Sequence, residues 1–195
     1  FFTFMFLSTA ACGATFKGKV IDAETKEHIE GAVVVAVWYE ETTTVGATHT
    51  EVKDVKETLT NKKGEWIIKG PRGREMGDIT AIFTLITGTY ITIPPQFIVF
   101  KPGYCSYPAR FGIEVCDRKV KIYNSTNSET IDEIVELPKL TNREDRLRAL
   151  PTPIHKDGDR EFYKKQREFL RVIDEESKYL GIPEYQILKE LENEK

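Results

Sequence analysis

The side chains that could do chemistry in this chain are few: three histidines, three cysteines, two tryptophans and scattered carboxylates. A zinc site needs several ligands held together, and hydrolases commonly take two of them from one helical turn. His28, His49 and His155 fail that spacing, because Gly31, Val52 and Gly158 stand where a His-x-x-Glu pair would put its carboxylate. They read as solvated histidines. Ser106 has no Gly-x-Ser-x-Gly elbow around it. Gly70, Gly73 and Gly77 precede a predicted strand, whereas a phosphate cradle opens a helix. Asp157-Gly158-Asp159 begins like a calcium loop, but its later ligands are missing, so Asp159 reads as a helix cap. Glu40-Glu41 reads as a solvated strand end. The sequence therefore predicts no catalytic residue, no metal site and no cofactor.

The cysteines divide into one and two. Cys105 and Cys116 lie eleven positions apart, with Pro108 and Gly112 between them as turn formers. Two strands joined by such a loop could bring their Cβ atoms within the ~4 Å that a disulfide needs. In an oxidising compartment the bridge would contribute up to ~3 kcal/mol. The alternative is two buried thiols acting as small hydrophobes. The aromatic residues Trp38, Tyr39, Trp66 and Tyr104 fall near predicted strand ends and could stack against a glycan or a peptide; the alternative is that they fill the core.

The elements that must hold these residues are mostly strands. Phe16, Gly18 and Val20 alternate with Lys17 and Lys19, the period of a strand wet on one side. Asp22-Ala23-Glu24-Thr25 supplies turn chemistry. Val33, Val35 and Val37 share one face of the next strand, while Val34, Ala36 and Trp38 share the other; a strand apolar on both faces is central. Residues 40–56 read as a long polar excursion. A hairpin is expected from Val55 to Lys69 around Asn61-Lys62-Lys63-Gly64, with Gly64 in the left-handed position. Residues 70–78 read as a surface loop. Residues 79–100 carry no charge, but five threonines, Gly88 and Pro94-Pro95 favour strands over a transmembrane helix. Strands are also expected at 97–100, 115–123 and 130–137, with the Asn124-Ser125-Thr126 sequon as an unmodified turn.

The tail is different. Phe162, Phe169, Ile173 and Leu180 fall at spacings of 7, 4 and 7, one stripe of a helix that Gly181 and Pro183 end. Glu161–Lys165, Lys164–Glu168, Arg171–Glu175 and Asp174–Lys178 are spaced for i,i+4 pairs, and a shorter helix is expected over 183–192. The stripe could dock on the outer face of the sheet near Trp38 or on an envelope protein partner. Residues 139–195 carry 13 basic and 13 acidic side chains, against 15 and 18 in the much longer 1–138, so a boundary falls at about Lys139.

A chain of 195 residues has room for one domain with appendages, or for two small ones. Its net charge of -3 and its lack of a basic stripe set nucleic-acid binding aside. No charge precedes Lys17, and the apolar run Phe1–Leu7 leads into small residues, the order of a secretory signal's core and cleavage region. Residues 1–14 are therefore expected to be part of an export signal; a buried first strand is the alternative. Cys12 resembles the modified cysteine of bacterial lipoproteins, although Thr9 stands where their box has an aliphatic residue. Lipid attachment at Cys12 and plain cleavage after Ala11 or Ala14 both stay open. By the same resemblance, Gly13 points toward the outer membrane. The expected localisation is exported, periplasmic or outer-membrane-associated.

Four short segments carry a wider resemblance: Gly18-Lys19-Val20-Ile21-Asp22-Ala23, Ile29-Glu30-Gly31-Ala32-Val33-Val34, Thr60-Asn61-Lys62-Lys63-Gly64-Glu65-Trp66 and Phe100-Lys101-Pro102-Gly103-Tyr104. In this order, over residues 15–138, the chain resembles the carboxypeptidase regulatory-like domain. The resemblance implies a mainly β fold, a seven-stranded transthyretin-like β-sandwich, here with a C-terminal helical extension over 139–195. It also implies a stabilising or binding module rather than an enzyme. Related sandwiches include an iron-dependent dioxygenase group, whose paired tyrosine and histidine ligands this sequence lacks. The expected function is a noncatalytic envelope module, with a glycan- or peptide-binding domain as the alternative.

Overall fold

The computed structural model describes residues 14–44, 47–71, 91–92, 94–109, 112–127, 130–155 and 160–183. These are mainly β, in two sheets with a few helices. The strands are β1 (Thr15–Asp22), β2 (Val33–Thr44), β3 (Ala47–Leu59), β4 (Glu65–Lys69), β5 (Ile91–Thr92), β6 (Gln96–Phe100), β7 (Lys121–Asn127) and β8 (Thr130–Leu137). The helices are α1 (Glu114–Lys119), α2 (Arg143–Ala149), α3 (Arg160–Lys164) and α4 (Arg167–Leu180). One sheet has the order β4-β1-β8-β7, with β1 and β8 parallel; in the other, β2 lies between β3 on one side and β5 and β6 on the other.

The alternation read in β1 and β2 sets the core. Phe16 and Val20 from β1 meet Val34, Ala36 and Trp38 from β2, together with Trp66, Ile68, Val99, Val135 and Leu137. This cluster draws on both sheets, which bury facing side chains against each other. The opposite face of β2 is also covered, as a strand apolar on both sides requires. Val33, Val35 and Val37 pack with Val55, Phe100, Phe162, Phe169, Val172 and Ile173. The helical stripe thus docks within the chain, on the outer face of the β2 sheet. It does not sit near the Trp38 side chain, because Trp38 shares the parity of Val34 and Ala36 and points between the sheets.

Several elements differ from the sequence reading. Residues 40–56 are not an irregular excursion: β2 runs on to Thr44 and pairs with β3 from Ala47, so the threonines continue the ladder beyond the apolar run. The turn at Asn61–Gly64 forms, with the Asn61 side chain accepting from the Lys63 and Glu65 N–H groups. It closes no hairpin, however, since β3 pairs with β2 whereas β4 pairs with β1. The turn carries the chain from one sheet to the other. Gly64 has φ +70°, and a Cβ there would lie 2.4 Å from the Val20 carbonyl oxygen. Residues 115–123 are not one strand: α1 occupies 114–119 and β7 begins at Lys121. Ile113, Cys116 and half-buried Val120 recur at helical spacing, and they pack into one cluster. Asn124 lies within β7, opposite Glu133, rather than in a turn. Eight strands are described, against the seven expected. The loop and strands expected over 72–90, the Asp159 cap, the helix expected over 183–192 beyond Pro183, and Cys12 lie outside the described residues.

The tail helix is broken at Gln166. That side chain is fully buried and spends its amide on the chain: Oε1 accepts from the Ile154 N–H at 2.9 Å, and Nε2 donates to the Ile154 carbonyl at 2.6 Å. The break leaves the first N–H groups of α4 without intrahelical partners. Glu57 of β3 meets two of them, accepting from Glu168 N–H and Phe169 N–H at 2.8 Å each. Gly181, at φ +71°, ends the helix, with Gly181 N–H donating to Lys178 and Ile182 N–H to Ser177. Of the four expected i,i+4 pairs, Asp174–Lys178 forms at 2.9 Å; Lys165 instead reaches Asp54 across to β3, and Glu161 and Glu168 pair at i,i+3. Among the described residues, no helix is long and apolar enough to cross a membrane.

Candidate functional site

One polar constellation lies where β1 leaves its sheet. Asp22 is buried, and its Oδ1 accepts from Glu24 N–H at 2.8 Å and Thr25 N–H at 2.9 Å, the Asx turn that the Asp-Ala-Glu-Thr sequence favours. Tyr104, from the turn after β6, faces the same carboxylate. Burial pushes the Asp22 carboxyl up, but the N–H groups of Thr25 and Glu24, with the facing Tyr104 hydroxyl, outweigh it and hold the group below its ordinary value. Burial and the facing Asp22 charge push the Tyr104 phenol up. Beside them Lys26 pairs with buried Glu136 at 2.7 Å. Each carboxylate is already occupied by a partner that fixes a turn or a strand end. The arrangement organises the loop between β1 and β2; it presents no free base or nucleophile.

A second constellation joins α2 to α4. Arg146 donates from Nε and Nη2 to the two carboxylate oxygens of Glu176, at 2.7 and 2.6 Å, in the bidentate geometry that a guanidinium suits. The guanidinium carbon lies 3.9 Å from the centroid of the Tyr179 ring. The Glu176 hydrogen bond raises the Arg146 pKa still further. Arg143 adds a hydrogen bond to the Leu180 carbonyl, and Asn142 caps α2 by accepting from Glu144 N–H.

Cys105 and Cys116 are bonded, with Cα atoms 5.7 Å apart. Cys116 sits on α1, not on a strand as expected, and Cys105 lies in the extended segment after the β6 turn. Both pack with Ile113, Leu140 and Ala149. A shallow cleft of about 200 Å³ lies nearby, lined by Ile98, Ser106, Tyr107, Pro108, Pro151 and Thr152. Ser106 is buried and donates to the Pro108 carbonyl at 3.2 Å, which ties it to its own loop.

The aromatic candidates do not converge on a surface. Trp38 and Trp66 are buried in the core between the sheets, where Phe16 and Phe97 pack on them edge-on and tilted. Strand parity explains both: each faces the inter-sheet side of its strand. Tyr39 is half-buried and belongs to the opposite face of β2, and burial raises its phenol pKa. Tyr104 is half-buried and faces Asp22. The histidines stay apart: His28 forms an isolated bridge to Ile21, His49 contacts Glu51 at 2.9 Å, and His155 is exposed. Among the described residues, no group of three or more His, Cys, Asp or Glu is placed to hold a metal. Glu57 and Arg146 escaped the sequence reading; a carboxylate on an outward parity position of β3 and an arginine between two helices give no local signal. Asp22 was visible as a turn residue.

No family model matches this chain, and no curated protein matches it. Among solved structures it is similar to a 3-chlorocatechol 1,2-dioxygenase from Rhodococcus opacus, at 15% identity and a TM-score of 0.33, over 67% of this chain and 61% of that one. A variant of the shaft pilin SpaA from Lactobacillus rhamnosus GG matches at 11% identity and a TM-score of 0.30, over 67% of this chain and 51% of the pilin. A 9R-lipoxygenase from Cyanothece matches at 11% identity and a TM-score of 0.26, over 95% of this chain but 25% of the enzyme. The chain spans about three fifths of the dioxygenase and half of the pilin. Likenesses this distant carry no argument about function.

Proposed function

We propose that this chain is a noncatalytic exported module: a transthyretin-like sandwich of the carboxypeptidase regulatory-like kind over 15–138, with the charged extension over 139–195 closed against it. In this reading the apolar start of the chain directs export, and lipid on Cys12 or cleavage beyond it decides between membrane attachment and release into the envelope. One observation carries the noncatalytic part. Three carboxylates that an active site could use hold architecture instead: buried Asp22 an Asx turn, half-buried Glu57 the α4 start, and buried Glu176 the Arg146 guanidinium. A carboxylate held by fixed donors is less available to take a proton from a substrate than a free one. The role then lies in contacts with other envelope components.

The test is an activity panel of ester, peptide, glycoside and phosphate substrates, run on the purified protein beside Asp22→Asn and Glu57→Gln. The reading expects no turnover that differs among the three proteins. Activity that survives purification and disappears on one substitution contradicts it.

A further inference from the structure

We propose that residues 140–149 seal the Cys105–Cys116 bond, so that it must form before α2 closes and is shielded from reductants afterwards. This goes beyond the noncatalytic reading and does not depend on it. Cys105 is 0% exposed and Cys116 1%. They pack with Ile113 from the enclosed loop, with half-buried Ala109, Val115 and Val120, and with Leu140 and Ala149 from the start and end of the segment that contains α2. Backbone bonds tie that segment down: Cys105 N–H donates to the Pro138 carbonyl at 2.9 Å, and Leu140 N–H donates to the Gly103 carbonyl at 2.8 Å. The far side of the cover is latched onto α4 by Arg146–Glu176 and by Arg143 to Leu180.

The order along the chain matters. Both cysteines precede the cover, so during N-to-C emergence the pair is reachable before residues 140–149 can close on it. Disulfide formation requires contact: one cysteine thiolate attacks the disulfide of an oxidising dithiol–disulfide partner and forms a mixed disulfide. The second thiolate then attacks the mixed bond and expels the partner's thiolate. Two thiols are oxidised to one disulfide, the partner's disulfide is reduced to two thiols, and the cysteine protons pass to solvent or to the partner. Reduction runs the same path backwards and needs a thiolate in line with a sulfur. A buried bond can meet that requirement only when the cover opens, so reduction reports on that opening.

The experiment follows reduction of the bonded protein by dithiothreitol, with free thiols trapped by iodoacetamide and counted by mass. Native wild type is expected to be reduced at least about tenfold more slowly than the same protein unfolded in guanidinium. Glu176→Gln, which weakens the latch, is expected to be reduced faster than wild type while tryptophan fluorescence still reports a folded core. Ala149→Gly thins the cover without touching a charge and serves if Glu176→Gln fails to fold. Reduction of native wild type as fast as the unfolded chain overturns the seal. Folded variants as protected as wild type overturn the assignment of the cover to α2 and its latch.

Discussion

The Phe169 N–H of α4 donates to Oε2 of Glu57 on β3 at 2.8 Å, across 112 residues of chain. With the matching bond from Glu168 N–H, one strand side chain serves as the N-terminal cap of a helix that lacks its own: Gln166 makes no capping bond because its amide is spent on Ile154 and Phe162. The relationship fixes where α4 starts and which face it turns to the sheet. Phe169, Val172 and Ile173 then fall on Val33, Val35 and Val37.

At about pH 4, Glu57→Ala removes both acceptors and is expected to lower stability by about 1 kcal/mol, the usual worth of an N-terminal cap. Burial, which outweighs the two N–H bonds, raises the Glu57 pKa above its ordinary 4.5. The folded state therefore holds this proton more tightly than the unfolded chain does. Its contribution is fully present below 4.5 and is lost as pH rises through the folded value. Denaturant melts of wild type and Glu57→Gln from pH 4 upward check the sign: the difference between them should move against wild type as pH rises through that window.

Tyr104→Phe removes the hydroxyl that faces the Asp22 carboxylate and is expected to lower stability by about 1 kcal/mol at neutral pH. Asp22 has a lowered folded pKa, so its contribution is present above its ordinary 3.8 and lost as pH falls through the folded value. Acid titration followed by tryptophan fluorescence should show wild type losing stability below about pH 4, and Tyr104→Phe losing less over the same range.

Gly64→Ala is expected to destabilise by more than about 1 kcal/mol, since an alanine must adopt a left-handed backbone and place its Cβ 2.4 Å from the Val20 carbonyl oxygen. A thermal melt measures it. A neutral result would mean that the turn between the sheets can move aside.

Much of this architecture was legible from local pattern. The period of two in residues 16–20, the two-faced valine run and the 7-4-7 stripe each report burial directly, and the structure buries all three. Partner choice was not legible. The Asn61–Gly64 turn fits a hairpin locally, and only the pairing of β4 with β1 shows that it changes sheets. Polar residues 40–44 hid a strand because its ladder depends on β3, not on an apolar face. The helical period of Ile113, Cys116 and Val120 is masked by the β-branched residues Val115, Val120 and Ile122, which favour strands. At the candidate sites, spacing gave the disulfide pair correctly, whereas aromatic position gave no information on burial: Trp38 and Trp66 are both core residues.

Docking of α4 carries the hydrophobic side of the account. Ile173→Ala removes part of a fully buried side chain and is expected to cost about 2–5 kcal/mol. Equilibrium unfolding in urea reads this, and the loss should appear in one transition shared with the sheets.

The most direct test of intramolecular closure is an NMR experiment on dilute protein, in which methyl groups of Ile173 and of Val33, Val35 and Val37 are labelled and isotope filtering separates contacts within a chain from contacts between chains. Cross-relaxation between Ile173 and at least one of these β2 valines is expected within one chain, unchanged on dilution. No contact between Ile173 and any of the three, or contacts seen only between chains, would contradict it.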